Sequence, residues 1–189
     1  MTPKELQSYL ATRFDALLPD EHEVEKEWVS FRGGNMLQYS PRVDVAVGPF
    51  SIEHGQNRIN EYNQAVENEP LNGLLRRLFE LHRENVIAGG YHEIEVPDFG
   101  VLIKKNQNAR CLLALEIESQ NSRKHIMGSI VNAASLGRIG MGIGYTDKAV
   151  RTFLRISSYL SFLKRVEKNT YDTTNFLVLS VAQIRSLLD

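Results

Sequence analysis

The chain predicts an α/β fold on three observations. Short apolar or β-branched runs alternate with longer amphipathic stretches, the pattern of strands and helices sharing one core. Residues that start and stop helices stand where they are needed: Thr2, Ser122 and Thr146 ahead of amphipathic stretches, Gly90 and Gly137 behind them. No repeat, low-complexity tract or linker interrupts the sequence, so residues 1–189 read as a single domain.

The first helix opens at Thr2-Pro3-Lys4-Glu5, with proline in the first helical position and glutamate three residues after the cap. Leu6, Leu10, Phe14, Leu17 and Leu18 make its apolar stripe. Asp20 to Glu27, five acids in eight residues, reads as solvated, Glu21, Glu23, Glu25 and Glu27 included, and a short strand is expected at Trp28 to Phe31. Beyond Gly33-Gly34, Arg42 to Gly48 alternates around its valines and reads as the first core strand, ended by Pro49. Helices over 55–66 and 71–86 form an insertion after it, the second with Leu71, Leu74, Leu75, Leu78 and Leu81 on one side. Phe99 to Lys105 and Cys111 to Glu118 flank the polar Asn106-Gln107-Asn108 and read as an antiparallel hairpin. A helix from Ser122 to Leu136, a strand from Arg138 to Tyr145, a helix from Thr146 to Glu167, a strand from Phe176 to Val181 and a short terminal helix complete the order. Gly137, Gly140, Gly142 and Gly144 do not spell a dinucleotide fingerprint, so close packing accounts for them.

Composition narrows the class. Of the 189 residues 42% are hydrophobic and 24% charged, as in globular proteins rather than disordered ones. The one cysteine, Cys111, forms no internal disulfide or multi-cysteine zinc site and fits a reducing compartment. The start has no leader pattern, and no stretch of about 18 apolar residues occurs, so a cytoplasmic protein with no membrane partner is expected. Net charge is −1, but residues 1–95 hold 9 Lys and Arg against 16 Asp and Glu while residues 96–189 hold 13 against 7. Such asymmetry points to a polyanion meeting the C-terminal half, with uneven surface charge as the plain alternative.

The chemistry concentrates in Pro97-Asp98 and, seventeen residues on, Glu116-Ile117-Glu118. Two residues apart on a strand, Glu116 and Glu118 leave the same face, while Leu113, Leu115 and Ile117 cover the other. A hairpin folded about Gln107 would set Asp98 opposite Glu116. Carboxylates held this close repel one another and call for a cation. Hard oxygen donors suit Mg²⁺, with Mn²⁺ as a substitute, and such an ion activates water toward a phosphodiester.

Pro97-Asp98…Glu116-x-Glu118 resembles the PD-(D/E)xK motif of the restriction-endonuclease-like nucleases, and the order of elements resembles their core. The resemblance implies a mixed central sheet flanked by helices and a metal-dependent endonuclease that hydrolyses DNA in preference to RNA. It implies metal at Asp98 and Glu116, with the Ile117 carbonyl as a further ligand, and a homodimer as in many such nucleases. The lysine that commonly closes the motif is Glu118 here, so the group that orients the attacking water is either Glu118 or Lys124 in the following helix. Tyr39-Ser40-Pro41-Arg42-Val43-Asp44 offers a second version of the first acidic motif, and Asp44, alone among valines, competes with Asp98 for the metal. If the helical segment 50–90 is a crossover, the 42–48 strand runs parallel to 99–105 and puts Asp44 at the same end as Asp98; as an antiparallel neighbour it sends Asp44 to the far end, and Asp98 ranks slightly ahead.

His125, Ser129 and Asn132 share one face of the 122–136 helix near Arg123 and Lys124, and Arg123, His125 and Asn132 are expected to hold phosphate. Two readings compete with the nuclease. One is a non-catalytic protein that keeps the fold as a binding or assembly module. The other pairs the strand acids with Arg42, Arg110 or Arg123 in a structural network.

Overall fold

The computed structural model describes residues 1–18, 23–30, 40–52, 56–120 and 122–189. In chain order the elements are α1 (Pro3–Leu17), β1 (Val24–Val29), β2 (Arg42–Val47), α2 (Ile59–Glu67), α3 (Leu71–Gly89), α4 (Phe99–Leu102), β3 (Cys111–Glu118), α5 (Arg123–Leu136), β4 (Gly137–Gly144), α6 (Asp147–Arg165), β5 (Phe176–Ser180) and α7 (Val181–Leu188). The strands form one open sheet in the order β1-β2-β3-β4-β5, antiparallel from β1 through β3 and parallel from β3 through β5. The α/β class and the mixed, helix-flanked sheet follow the sequence reading. Phe31, Gly33-Gly34, Asp20, Glu21 and Tyr39 lie outside the described residues.

Local chemistry explains the boundaries. Thr2 and Glu5 close a capping box on α1, and the Thr146 hydroxyl accepts the N–H of Ala149 at the start of α6. β1 begins earlier than expected, at Val24. Its alternating acids belong to an edge strand, where charged side chains block pairing with another chain.

The 99–105 strand and its hairpin do not form. Phe99, Leu102 and Ile103 are buried at helical spacing, giving the short α4 and a turn. The Asn106 amide donates to the carbonyls of Ala134, Ser135 and Gly137, capping the end of α5 instead of turning a hairpin. The antiparallel neighbour of β3 is β2.

Two apolar layers cover the sheet. Leu6, Leu10, Leu75, Leu78 and Ile184, from α1, α3 and α7, pack on one face, and Ile126, Ile130, Phe153 and Leu160, from α5 and α6, on the other. The glycines of β4 set the second layer's distance: a Cβ on Gly140 would lie 2.8 Å from the Ala133 carbonyl carbon, and one on Gly142 would strike Phe153 and Phe176. Close packing was the expected role.

Two buried polar side chains tie layers together. Arg138, fully buried at the start of β4, donates to the carbonyls of Ile103 (2.8 Å) and Asn106 (2.7 Å) and to the Asn63 side chain (2.6 Å). His82 of α3 accepts the Val178 N–H of β5 at 3.0 Å. Among the described residues no helix is long and apolar enough to cross a membrane.

Candidate active site

The ladder between β2 and β3 pairs Val47 with Leu113, Ala46 with Ala114 and Val45 with Leu115. The next residues are Asp44 and Glu116. Antiparallel pairing therefore brings Asp44, near the start of β2, to the acidic end of β3. Here the main chain changes partner: the Ile117 N–H donates to Asp44 Oδ2 at 2.6 Å. Asp44 Oδ1 accepts from Gln7 Nε2 at 2.9 Å, and the same nitrogen donates to Glu27 Oε1 at 3.0 Å. Glu27 Oε2 pairs with Arg42 Nε at 3.0 Å, and the Glu27 backbone is left-handed, φ 52°. A non-glycine residue in that region costs about 1 kcal/mol or more, held here by strand pairing on either side.

Glu116 is 8% exposed, and among the described residues its carboxylate accepts no hydrogen bond and meets no cation. Burial first, then the charges of Asp44, Glu118 and Glu27, push it well above the usual carboxylate range. Glu118 is half-buried and accepts from the Ser129 hydroxyl at 3.3 Å. Burial raises it too, opposed by that hydrogen bond and, more weakly, by His125. Asp44 is raised chiefly by burial and by Glu27, against the hydrogen bonds from Ile117 and Gln7. Four carboxylates thus repel one another around the end of β3.

The structure gathers Asp44, Glu116 and Glu118, with Ser129 and His125 of α5 beside Glu118. Asp98 stands apart. It is exposed at the start of α4, its carbonyl accepting the Val101 and Leu102 N–H groups, while Phe99 packs on Phe79 and under Arg76 of α3. Asp98 does not face Glu116 across a hairpin, because the segment after it is helical. Antiparallel pairing of β2, taken to send Asp44 away, brings it in, since its partner is β3 itself. Arg123, Lys124 and His125 lie exposed in the first turn of α5, and Asn132 is half-buried farther along. Of the arginines weighed for a structural network, Arg42 pairs with Glu27 beside the cluster, and Arg110 donates to the Ile52 carbonyl.

Gln7 and Glu27 were missed. Gln7 interrupts the buried face of α1 between Leu6 and Leu10, a polar side chain that needs a partner, and Glu27 was counted with the solvated acids.

The donors present are hard carboxylate oxygens plus the Ile117 carbonyl, a chemistry suited to Mg²⁺ or Mn²⁺. Among the described residues no three His, Cys, Asp or Glu side chains close tightly enough to hold a metal ion. A cavity of about 640 Å³, lined by Leu17, Pro49, Arg58, Glu61, Asn68 and Pro70, lies elsewhere and includes none of these acids. Comparison with known proteins finds no matching family model, no curated relative and no matching solved structure.

Proposed function

We propose that the chain is a metal-dependent nuclease with a restriction-endonuclease-like core, hydrolysing DNA phosphodiester bonds, in which Asp44 is the first motif acid. The observation that carries the reading is Glu116: a buried carboxylate that, among the described residues, has no hydrogen bond or counter-charge, beside Asp44 and Glu118 at one strand end. Burying it without a cation costs stability, and a divalent ion repays that cost. The helix-strand-strand-strand-helix-strand order of α1, β1, β2, β3, α5 and β4 supports the core, with α2 to α4 as the insertion.

In this reading Asp44, Glu116 and the Ile117 carbonyl hold Mg²⁺ or Mn²⁺. The ion supplies stabilisation of charge at the phosphate and acidifies water. Glu118 orients the attacking water and accepts its proton, which its raised pKa favours; Lys124 is the rival for that task. Arg123 and His125 present donors to the scissile phosphate at the N-terminal end of α5, where free backbone N–H groups also point, and Asn132 adds a donor farther along the helix. Cytoplasmic location and a homodimer belong to the same reading.

The non-catalytic module is favoured by one observation: both Asp44 oxygens are already engaged, by Ile117 and Gln7. Supercoiled plasmid and a labelled single strand, incubated with Mg²⁺ or Mn²⁺, separate the two. Nicking by the wild type, lost in Glu116→Ala and Asp44→Ala and kept in Asp98→Ala, is the expected result. No cleavage and no metal-induced rise in Tm of the folded wild type establishes the module.

A further inference from the structure

The outward face of α6 divides into two halves. Lys148, Arg151, Arg155, Tyr159, Phe162 and Val166 follow at helical spacing along one line, all exposed, while Ala149, Phe153, Leu154 and Leu160 bury the opposite side on the sheet. The first three are cations and the last three apolar, with Tyr159 48%, Phe162 41% and Val166 40% exposed. Among the described residues Lys148, Arg151 and Arg155 meet no carboxylate. Other exposed cations do: Arg83 with Glu80, Lys104 with Glu67, Arg165 with Glu93, Arg185 with Asp189. Arg123 and Lys124, at the start of the adjacent α5, likewise meet no carboxylate among the described residues.

The line begins at the acids. Glu118 lies beside Gly144 in the β3–β4 ladder, the Tyr145 N–H donates to the Glu118 carbonyl at 2.9 Å, and α6 starts two residues later. From Lys148 to Phe162 the helix rises about 21 Å, or on the order of six nucleotide steps at duplex spacing.

We propose that this ridge docks a single-stranded nucleic acid leading to or from the carboxylate site, its phosphates on Lys148, Arg151 and Arg155 and an unpaired base on Tyr159. The proposal rests on the nuclease reading for its direction but is tested apart from it. Charge complementarity selects a polyanion, and an exposed aromatic beyond the cations selects unpaired bases over a closed duplex. Arg165 already covers Phe162, its guanidinium 5.6 Å from the ring centroid, which leaves Tyr159 as the open stacking surface. A lipid surface is disfavoured because the apolar face of α6 is spent on the sheet and cannot enter a bilayer.

The test is anisotropy of a labelled 20-nucleotide single strand in EDTA, beside the same sequence as duplex and beside phosphatidylserine vesicles. The Lys148→Ala/Arg151→Ala/Arg155→Ala triple variant should bind the strand at least tenfold more weakly, with a log K against log salt slope shallower by about 2. Tyr159→Ala should weaken strand binding about tenfold and leave the slope unchanged. Arg83→Ala, which removes a paired cation, should match the wild type, and unchanged Tm values should show that the variants are folded. Wild-type protein that binds no strand, a triple variant within twofold of wild type, or losses confined to vesicles would each overturn the proposal. Cleavage by a wild type whose triple variant binds normally sinks the ridge alone; a ridge effect in a protein that cuts nothing sinks the nuclease reading alone.

Discussion

The Ile117 N–H donates to Asp44 Oδ2 at 2.6 Å, so a side chain of β2 completes the hydrogen bonding of β3 where the strand ladder has stopped. One contact fixes an acid and the strand bearing its two neighbours. It also ties the site to α1, because Gln7 holds the other Asp44 oxygen.

Gln7→Leu keeps much of the side-chain volume and removes the amide that separates Asp44 from Glu27. Buried acceptors left without a donor cost about 1–3 kcal/mol. Urea unfolding at pH 7 should show a loss of that size, and metal-dependent cleavage should fall along with it.

Glu116→Gln should raise stability at neutral pH. The folded-state pKa of Glu116 lies above its unfolded value, so its contribution is fully present below about pH 4.5 and is lost as pH rises through the folded pKa. The variant should gain at least about 1 kcal/mol at pH 7.5 and nothing at pH 4. Melting curves across that range check it. A variant less stable at pH 7.5 would show that Glu116 has a structural cation instead.

His82 predicts the opposite slope. Burial lowers its pKa from 6.5 to about 4, and its Nδ1 must stay unprotonated to accept the Val178 N–H. Stability is full above pH 6.5 and falls by about 3 kcal/mol as pH drops toward 4, because only the unfolded chain takes the proton there. In His82→Gln that part of the pH dependence should vanish, as read by urea unfolding at pH 7, 5.5 and 4.5.

Two glycine-to-alanine changes should move in opposite directions. A Cβ on Gly128, inside α5, meets nothing within 4 Å, so Gly128→Ala should stabilise by about 0.5–1 kcal/mol. On Gly140 it would crowd the backbone of Ala133 and Ala134 at 2.8–2.9 Å, and Gly140→Ala should cost about 1–3 kcal/mol. Thermal melts of the pair decide both.

How far the sequence was legible follows from what each signal depends on. α5 and α6 were readable because caps and apolar spacing are local, and β3 because an apolar run from Cys111 to Leu115 fits a strand buried on both faces. Phe99 to Lys105 was misread because its apolar positions 99, 101 and 103 alternate as in a strand while 99, 102 and 103 satisfy helix spacing, and it is the second set that is buried. The choice between Asp44 and Asp98 turned on which strand lies beside β3, a long-range pairing that no local spacing encodes. Gln7 and Glu27 were hidden for the same reason: their meeting depends on how α1 packs on β1 and β2.

Arg138 gives the segment between β2 and β3 a different standing from that of an ornament on the sheet. Among the described residues its guanidinium meets no carboxylate, and its three acceptors come from that segment: Asn63 of α2, and Ile103 and Asn106 after α4. Trimming the segment would strand a charge in the core, a loss on the order of several kcal/mol. A shortened chain, whether made by an engineer or by descent, therefore has to exchange Arg138 for an apolar residue before the helices can go.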